Sequence, residues 1–177
     1  HGIDSKEVDL MNKDSALNGS SNHFLETVQI IDNANANDTN FINLVNDRFD
    51  LDNYIDYFIF QTYIQNTDWL GISWGLNNVK LWRPDSSNGK WRYVLYDTDG
   101  GLGYFGGNIY ENYINKARNP DYPNQHSKIF DKFLNNQELK CQFTNRYNDL
   151  INSVFEESNF NIVTNELKNM ISNAIPD

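Results

Sequence analysis

A helix-rich α+β fold with one inserted β-hairpin is what the sequence predicts, and three patterns carry that prediction. Apolar residues recur at helical spacing through Tyr54, Ile55, Phe58, Ile59, Thr62 and Tyr63. The C-terminal part carries three further apolar stripes at that spacing. Between these helical regions, two short stretches alternate apolar and polar residues on either side of a turn ending in Asn88-Gly89, the signature of a β-hairpin. Helices on either side of a small antiparallel unit place the chain in the α+β class.

In chain order, residues 1–23 are polar, carry the loop signal Asn18-Gly19-Ser20-Ser21, and are expected to be irregular. Phe24 to Ile31 fits a short helix or strand. Asp32 to Asp38 is a polar spacer. It has neither the glycine nor the closing glutamate of a calcium-binding loop. Thr39 or Asn40 can cap a helix through Phe41, Leu44, Val45 and Phe49. A strongly apolar helix from about Asp52 to Ile64 follows, central to the expected core. It delivers the chain to Gln65-Asn66-Thr67-Asp68-Trp69 and a glycine-containing loop, Leu70 to Leu76.

The first hairpin strand places Val79, Leu81 and Arg83 on one face and Lys80 and Trp82 on the other. The second, from Trp91 to Tyr96, opposes Trp91, Tyr93 and Leu95 to Arg92, Val94 and Tyr96. It ends in Asp97-Thr98-Asp99 and a glycine-rich run to Gly107. Residues 108–125 read as a long polar loop. The tail stripes are Ile129, Phe130, Phe133 and Leu134; then Phe143, Tyr147, Leu150, Ile151, Val154 and Phe155; then Ile162, Val163, Leu167, Met170, Ile171 and Ile175.

The composition narrows the function. The chain has 177 residues, 39% hydrophobic and 21% charged, which is globular rather than disordered. No apolar run approaches the roughly 18 residues of a membrane span, so none is expected. A net charge of -10 argues against nucleic acid as a partner, because phosphate contacts need Lys and Arg. The single cysteine, Cys141, can form no internal disulfide and no multi-thiolate metal site, and its helical context predicts a buried thiol.

Three motifs bear on chemistry. Gly101-Leu102-Gly103-Tyr104-Phe105-Gly106 matches a dinucleotide-binding fingerprint in letters only, since no amphipathic helix opens at its last glycine. Gly71-Ile72-Ser73-Trp74-Gly75 matches a nucleophile elbow, but a helix precedes it and a strand follows, the reverse of what an elbow needs. The third is the acidic end of the hairpin. If the second strand persists, its period of two turns Asp97 and Asp99 to one side. Two carboxylates there repel each other unless a hard dication such as Mg²⁺ lies between them. Asp68 and the amides of Asn77 and Asn78 come from the same end of the hairpin. The bland alternative is a turn at Asp97-Gly100 and a helix cap at Asp68. The four tryptophans, Trp69, Trp74, Trp82 and Trp91, read either as core or as a stacking platform for a base or sugar.

Taken as an ordered series, Asn66-Thr67-Asp68-Trp69, Asn77-Asn78-Val79-Lys80-Leu81-Trp82-Arg83, Gly89-Lys90-Trp91-Arg92-Tyr93 and Tyr96-Asp97-Thr98-Asp99-Gly100-Gly101-Leu102-Gly103 resemble the CotH (spore coat protein H) family of atypical protein kinases. The resemblance covers roughly residues 40–175. It implies a fold like the C-terminal lobe of a protein kinase, and transfer of the ATP γ-phosphoryl to Ser/Thr of coat or surface proteins. It implies that Asp68 is the catalytic aspartate, that Asn78 and Asp97 hold Mg²⁺ or Mn²⁺, and that Asp99 is a second metal group. It further implies that Gly101 lets the backbone approach the phosphates of ATP. Leu70 to Leu76 looks like an insertion relative to the family pattern, so Asn77 stands as the alternative to Asn78.

The same resemblance implies a spore-coat or extracellular location and a protein substrate. Residues 1–40 are expected to be an irregular segment and 41–177 the kinase-like lobe, a portion of a longer protein. The Lys- and Glu-bearing N-terminal lobe that grips ATP is not recognisable, and Lys6 and Lys13 lie in no recognisable strand. The 177-residue chain is therefore expected to bind Mg-ATP weakly or not at all. Two other readings are a non-catalytic coat-assembly or adhesion domain, and a carbohydrate-binding module built on the tryptophans.

Overall fold

The computed structural model describes residues 7–106, 108 and 110–172. Lys6, Gly107 and Ile175 lie outside the described residues. The fold is α+β, in the order β1 (Val8–Asn12), β2 (Ser15–Asn18), α1 (Asn22–Asn33), α2 (Phe41–Arg48), α3 (Leu51–Tyr63), β3 (Lys80–Pro84), β4 (Arg92–Val94), α4 (Tyr113–Arg118), α5 (Gln125–Asn135), α6 (Gln137–Ile151) and α7 (Glu157–Ile171). The chain divides into two compact units, His1–Lys140 and Cys141–Asp177.

The first unit is built on α3 and a four-stranded antiparallel sheet of order β2-β1-β3-β4. Asp50 starts α3 by accepting the backbone N–H of Asn53 at 3.2 Å, which satisfies one orphan donor of the first turn. The helix then buries most of its circumference. Tyr54 stacks on Phe133 of α5 (5.0 Å between ring centres) and Phe58 on Phe130 (4.2 Å). Tyr57 stacks on Tyr93 of β4 at 4.7 Å. Rings at these spacings contribute beyond their buried area, and α3 is thereby fixed between sheet and helix. Asn53 fastens the contact, donating to the Tyr93 carbonyl (3.1 Å) and accepting its N–H (2.7 Å).

The hairpin forms as expected, with Leu81 opposite Tyr93 and Lys80 opposite Val94. Val79, Leu81 and Arg83 face inward, and Trp91 and Tyr93 are buried. Leu95 does not continue the pattern: β4 ends at Val94 and Leu95 is exposed.

Three expectations require correction. The N-terminal segment is not irregular. It supplies β1, β2 and α1, and β1 pairs with β3 over Val8↔Pro84 to Asn12↔Lys80. Its polar composition misled because the polar residues have specific partners. Asp9 is buried and takes the Arg83 Nε–H at 2.9 Å, so both charges leave water as a pair. The loop 108–125 contains a short helix, α4, capped by Asn112 through the Asn115 N–H. Cys141 is exposed, not buried.

In the second unit, Phe143 and Leu150 of α6 are buried. Helix α7 has the predicted apolar stripe, yet none of its residues is buried.

Candidate functional site

Asp68 sits five residues beyond the end of α3, in a loop held by a buried amide network. Asn66, fully buried, donates its Nδ2–H to Gln61 Oε1 of α3 at 2.9 Å. Its Oδ1 accepts the Asp68 backbone N–H at 3.2 Å. Trp69, also fully buried, anchors the other side by donating to the Tyr57 hydroxyl at 2.8 Å. The Asp68 carboxylate therefore emerges from a rigid base.

Both asparagines before β3 turn their amide nitrogens to this carboxylate. Asn77 donates to Oδ1 at 2.8 Å. Asn78 donates to Oδ2 at 3.1 Å and to the Asp68 carbonyl at 2.9 Å. They differ in what happens to their oxygens. Both amide nitrogens are engaged twice, that of Asn77 also reaching the Trp74 carbonyl at 3.1 Å, but Asn77 Oδ1 accepts from Lys13 Nζ at 2.9 Å. Between the two, Asn78 has the better-disposed oxygen for a cation.

Lys13, at the β1–β2 turn, is the residue that sequence reasoning missed here. Its backbone N–H bonds the Val79 carbonyl at 2.8 Å, which seats its side chain beside the asparagines. No periodicity flags a turn lysine, and its role appears only once β1 is known to pair with β3.

Asp97 and Asp99 reach the site through a loop and not through strand alternation, because β4 has already ended. The loop is clamped to the Asp68 segment. Thr67 donates its N–H and its hydroxyl to the Gly100 carbonyl, both at 3.1 Å, and Leu102 N–H bonds the Ile64 carbonyl. This approach needs glycine at position 100: a Cβ there would lie 2.6 Å from Asn66 Oδ1 and 3.2 Å from Asp68 Cβ. Gly101 is buried, and a Cβ on it would meet the Ile64 side chain at 2.7 Å. Packing against Ile64 is thus sufficient reason for that glycine.

The electrostatics follow from the crowding. The Asp97 carboxyl is exposed, and its pKa is raised above the usual value. The charge of Asp99 is the largest cause, followed by lost hydration, a hydrogen bond with Asp99 and the charge of Asp68; Lys80 opposes them. Lys80 itself lies over the Tyr96 ring, 3.3 Å from its centre. None of Asp68, Asp97 and Asp99 forms an ion pair among those found between described residues. Backbone conformation adds a second sign of tension. Asn78 (φ 53°) and Asp97 (φ 49°) both occupy the left-handed region, which L residues enter at a cost and which clusters at functional sites.

A divalent cation fits this donor set in kind. Carboxylate and amide oxygens are hard ligands, and a dication would relieve the repulsion that raises Asp97. Among the described residues, no three His, Cys, Asp or Glu side chains are grouped so as to hold an ion by themselves.

The tryptophans divide. Trp69 and Trp91 are core, and Trp82 is half-buried beneath Arg92. Trp74 alone is well exposed, meeting Phe105 edge-on at 4.7 Å.

A protein-family model described as "CotH kinase protein" matches residues 2–177. No curated protein and no solved structure matches the chain.

Proposed function

The chain belongs to the CotH family, and from that premise we propose that it carries the catalytic and metal-holding part of a protein kinase that phosphorylates Ser/Thr of coat or surface proteins, with ATP as donor. Asp68 orients the acceptor hydroxyl and takes its proton late in transfer. Each of its carboxylate oxygens already accepts one amide hydrogen and keeps a lone pair for the substrate O–H. Asn77 and Asn78 fix the plane of that carboxylate. Asn78 Oδ1 and Asp97 would hold Mg²⁺ or Mn²⁺, with Asp99 beside them. When bound, the metal neutralises charge on the phosphates.

What supports this reading is that the segments bearing Asp68, Asn78 and Asp97 are tied together, the Asp97 loop through the Thr67–Gly100 hydrogen bonds. Asn78 is hydrogen-bonded to Asp68, and Asp97 is close enough for the Asp68 charge to raise its pKa. Phosphoryl transfer asks little covalent work of a protein, so positioned oxygens and neutralised charge are the machinery it needs.

The test is transfer of label from γ-phosphate-labelled ATP by the protein with Mg²⁺ or Mn²⁺. Asp68→Asn and Asp97→Asn should each lower incorporation by at least about 10²-fold, the scale of removing a transition-state electrostatic partner. Undiminished labelling in both variants sinks the assignment of these residues, and a wild-type protein that incorporates no label sinks the kinase reading and leaves coat assembly or adhesion as the function.

A further inference from the structure

At the far end of the hairpin from Asp97, a cleft of about 500 Å³ opens between α1, α2 and the β3–β4 turn. It is lined by His23, Asp47, Arg48, Ser87, Asn88 and Lys90. Strand β3 alone puts roughly 13 Å between this cleft and the Lys80 end of the hairpin, at about 3.3 Å per residue.

The cations here differ from the paired arginines of the fold. Elsewhere Arg83, Arg92 and Arg118 each hold a carboxylate, at 2.9, 3.0 and 2.7 Å. In the cleft, Lys90 Nζ is bonded to a neutral group, Asn46 Oδ1, at 3.2 Å. Arg48 reaches Glu26 only at 3.9 Å, and its Nη1 lies 3.3 Å from His23 Nε2.

The wall is rigid. Trp91, fully buried, donates its backbone N–H to the Arg48 carbonyl (2.9 Å) and its indole N–H to His23 Nδ1 (3.0 Å). Burial, together with Arg83 and Arg48, holds the His23 pKa below its ordinary value, while Glu26 and Asp9 oppose. Asp47 is the carboxylate on the rim. Two cations, an imidazole, a serine and an asparagine line one cleft, with Glu26 at 3.9 Å from Arg48 and Asp47 as the carboxylates beside them.

We infer that this cleft binds a phosphomonoester dianion, through Arg48 and Lys90 with His23, Ser87 and Asn88 as hydrogen-bonding partners. Arginine and lysine supply charge-assisted bonds to phosphate oxygens. Because Nδ1 of His23 accepts the Trp91 indole N–H, the neutral ring carries its hydrogen on Nε2 and can offer it to an anion. The volume lies in the range of about 300–1,000 Å³ usual for ligand clefts, larger than one phosphate fills. It therefore favours a phosphate carried on something, such as a phosphorylated serine, over the free ion. The inference stands apart from phosphoryl transfer, since it uses none of the residues at Asp68 or Asp97.

The experiment is an NMR titration of the 177-residue chain, without divalent cations, following the His23 ring. The ligands are inorganic phosphate, a short phosphoserine peptide and its unphosphorylated twin. Saturable binding of the phosphopeptide, tighter than of phosphate, is expected, with none of the twin. Lys90→Gln should weaken binding at least fivefold, and Arg48→Gln with Lys90→Gln should abolish it. Asp47→Asn should strengthen it. Equal affinity for phosphate and phosphopeptide assigns the cleft to the free anion. Equal binding by wild type and Lys90→Gln overturns the proposal. So does an unphosphorylated twin that binds as well as the phosphopeptide.

Discussion

Asn78 and Asp97 hold left-handed backbone that glycine would adopt without strain. Asp97 also faces Asp99 and Asp68, so its side chain opposes the fold that presents it. Asp97→Gly removes both penalties, and it should raise the melting temperature by a few degrees while eliminating metal-dependent transfer. This is the trade expected where function requires a strained residue. Calorimetry alongside the labelling assay checks it; a lower melting temperature would mean that Asp97 is structural. Gly100 is the opposite case. Gly100→Ala forces a Cβ against Asn66 and Asp68, which should cost about 1–3 kcal/mol in urea unfolding, as overpacking does. It should also separate the Asp97 loop from Asp68. Unchanged stability would contradict the close approach of these two loops.

The β1–β2 hairpin is clipped to α5 by His126. This ring is fully buried, stacked on Phe24 at 4.9 Å, with Nδ1 2.8 Å from the Tyr93 hydroxyl and Nε2 3.3 Å from the Lys13 carbonyl. A neutral imidazole satisfies both contacts, accepting from Tyr93 and donating to Lys13. Burial, the largest cause, lowers its pKa to about 4; the Lys13 carbonyl opposes. The Asp14 carboxyl stands 3.6 Å away, its own pKa raised by burial. Because the unfolded chain binds the proton more readily, stability is full above about pH 6.5 and falls as pH drops toward 4. The loss should approach about 3 kcal/mol. Urea midpoints across that window test this, and His126→Gln should flatten the dependence. A wild-type midpoint that does not move would refute a neutral, buried ring. The same acidification loosens the turn that carries Lys13, and with it the hold on Asn77 Oδ1.

At the scale of the molecule, what was legible in the sequence follows from what local pattern encodes. α3, the hairpin and the three tail helices announced themselves because each repeats apolar residues at its own period. Asp68, the Asn77-Asn78 pair and Asp97 stood out by their places around the hairpin, and their roles came from the resemblance to the CotH family. β1 and β2 were not legible. Asp9 reads as a solvated charge until Arg83 stands across from it, and Lys13 reads as loop until Val79 fixes it. The arrangement of Asp97 beside Asp99 was expected for the wrong reason, since strand alternation ends at Val94 and the loop supplies the proximity. The whole account rests on that acidic loop being a place for a dication. The most direct measurement is the pKa of the Asp97 carboxyl, read by carbon-detected NMR with and without millimolar Mg²⁺. The account predicts a value raised above that of an ordinary aspartate in its absence and a marked fall when Mg²⁺ is added. A carboxyl that titrates normally, or one that Mg²⁺ leaves unmoved, would contradict it.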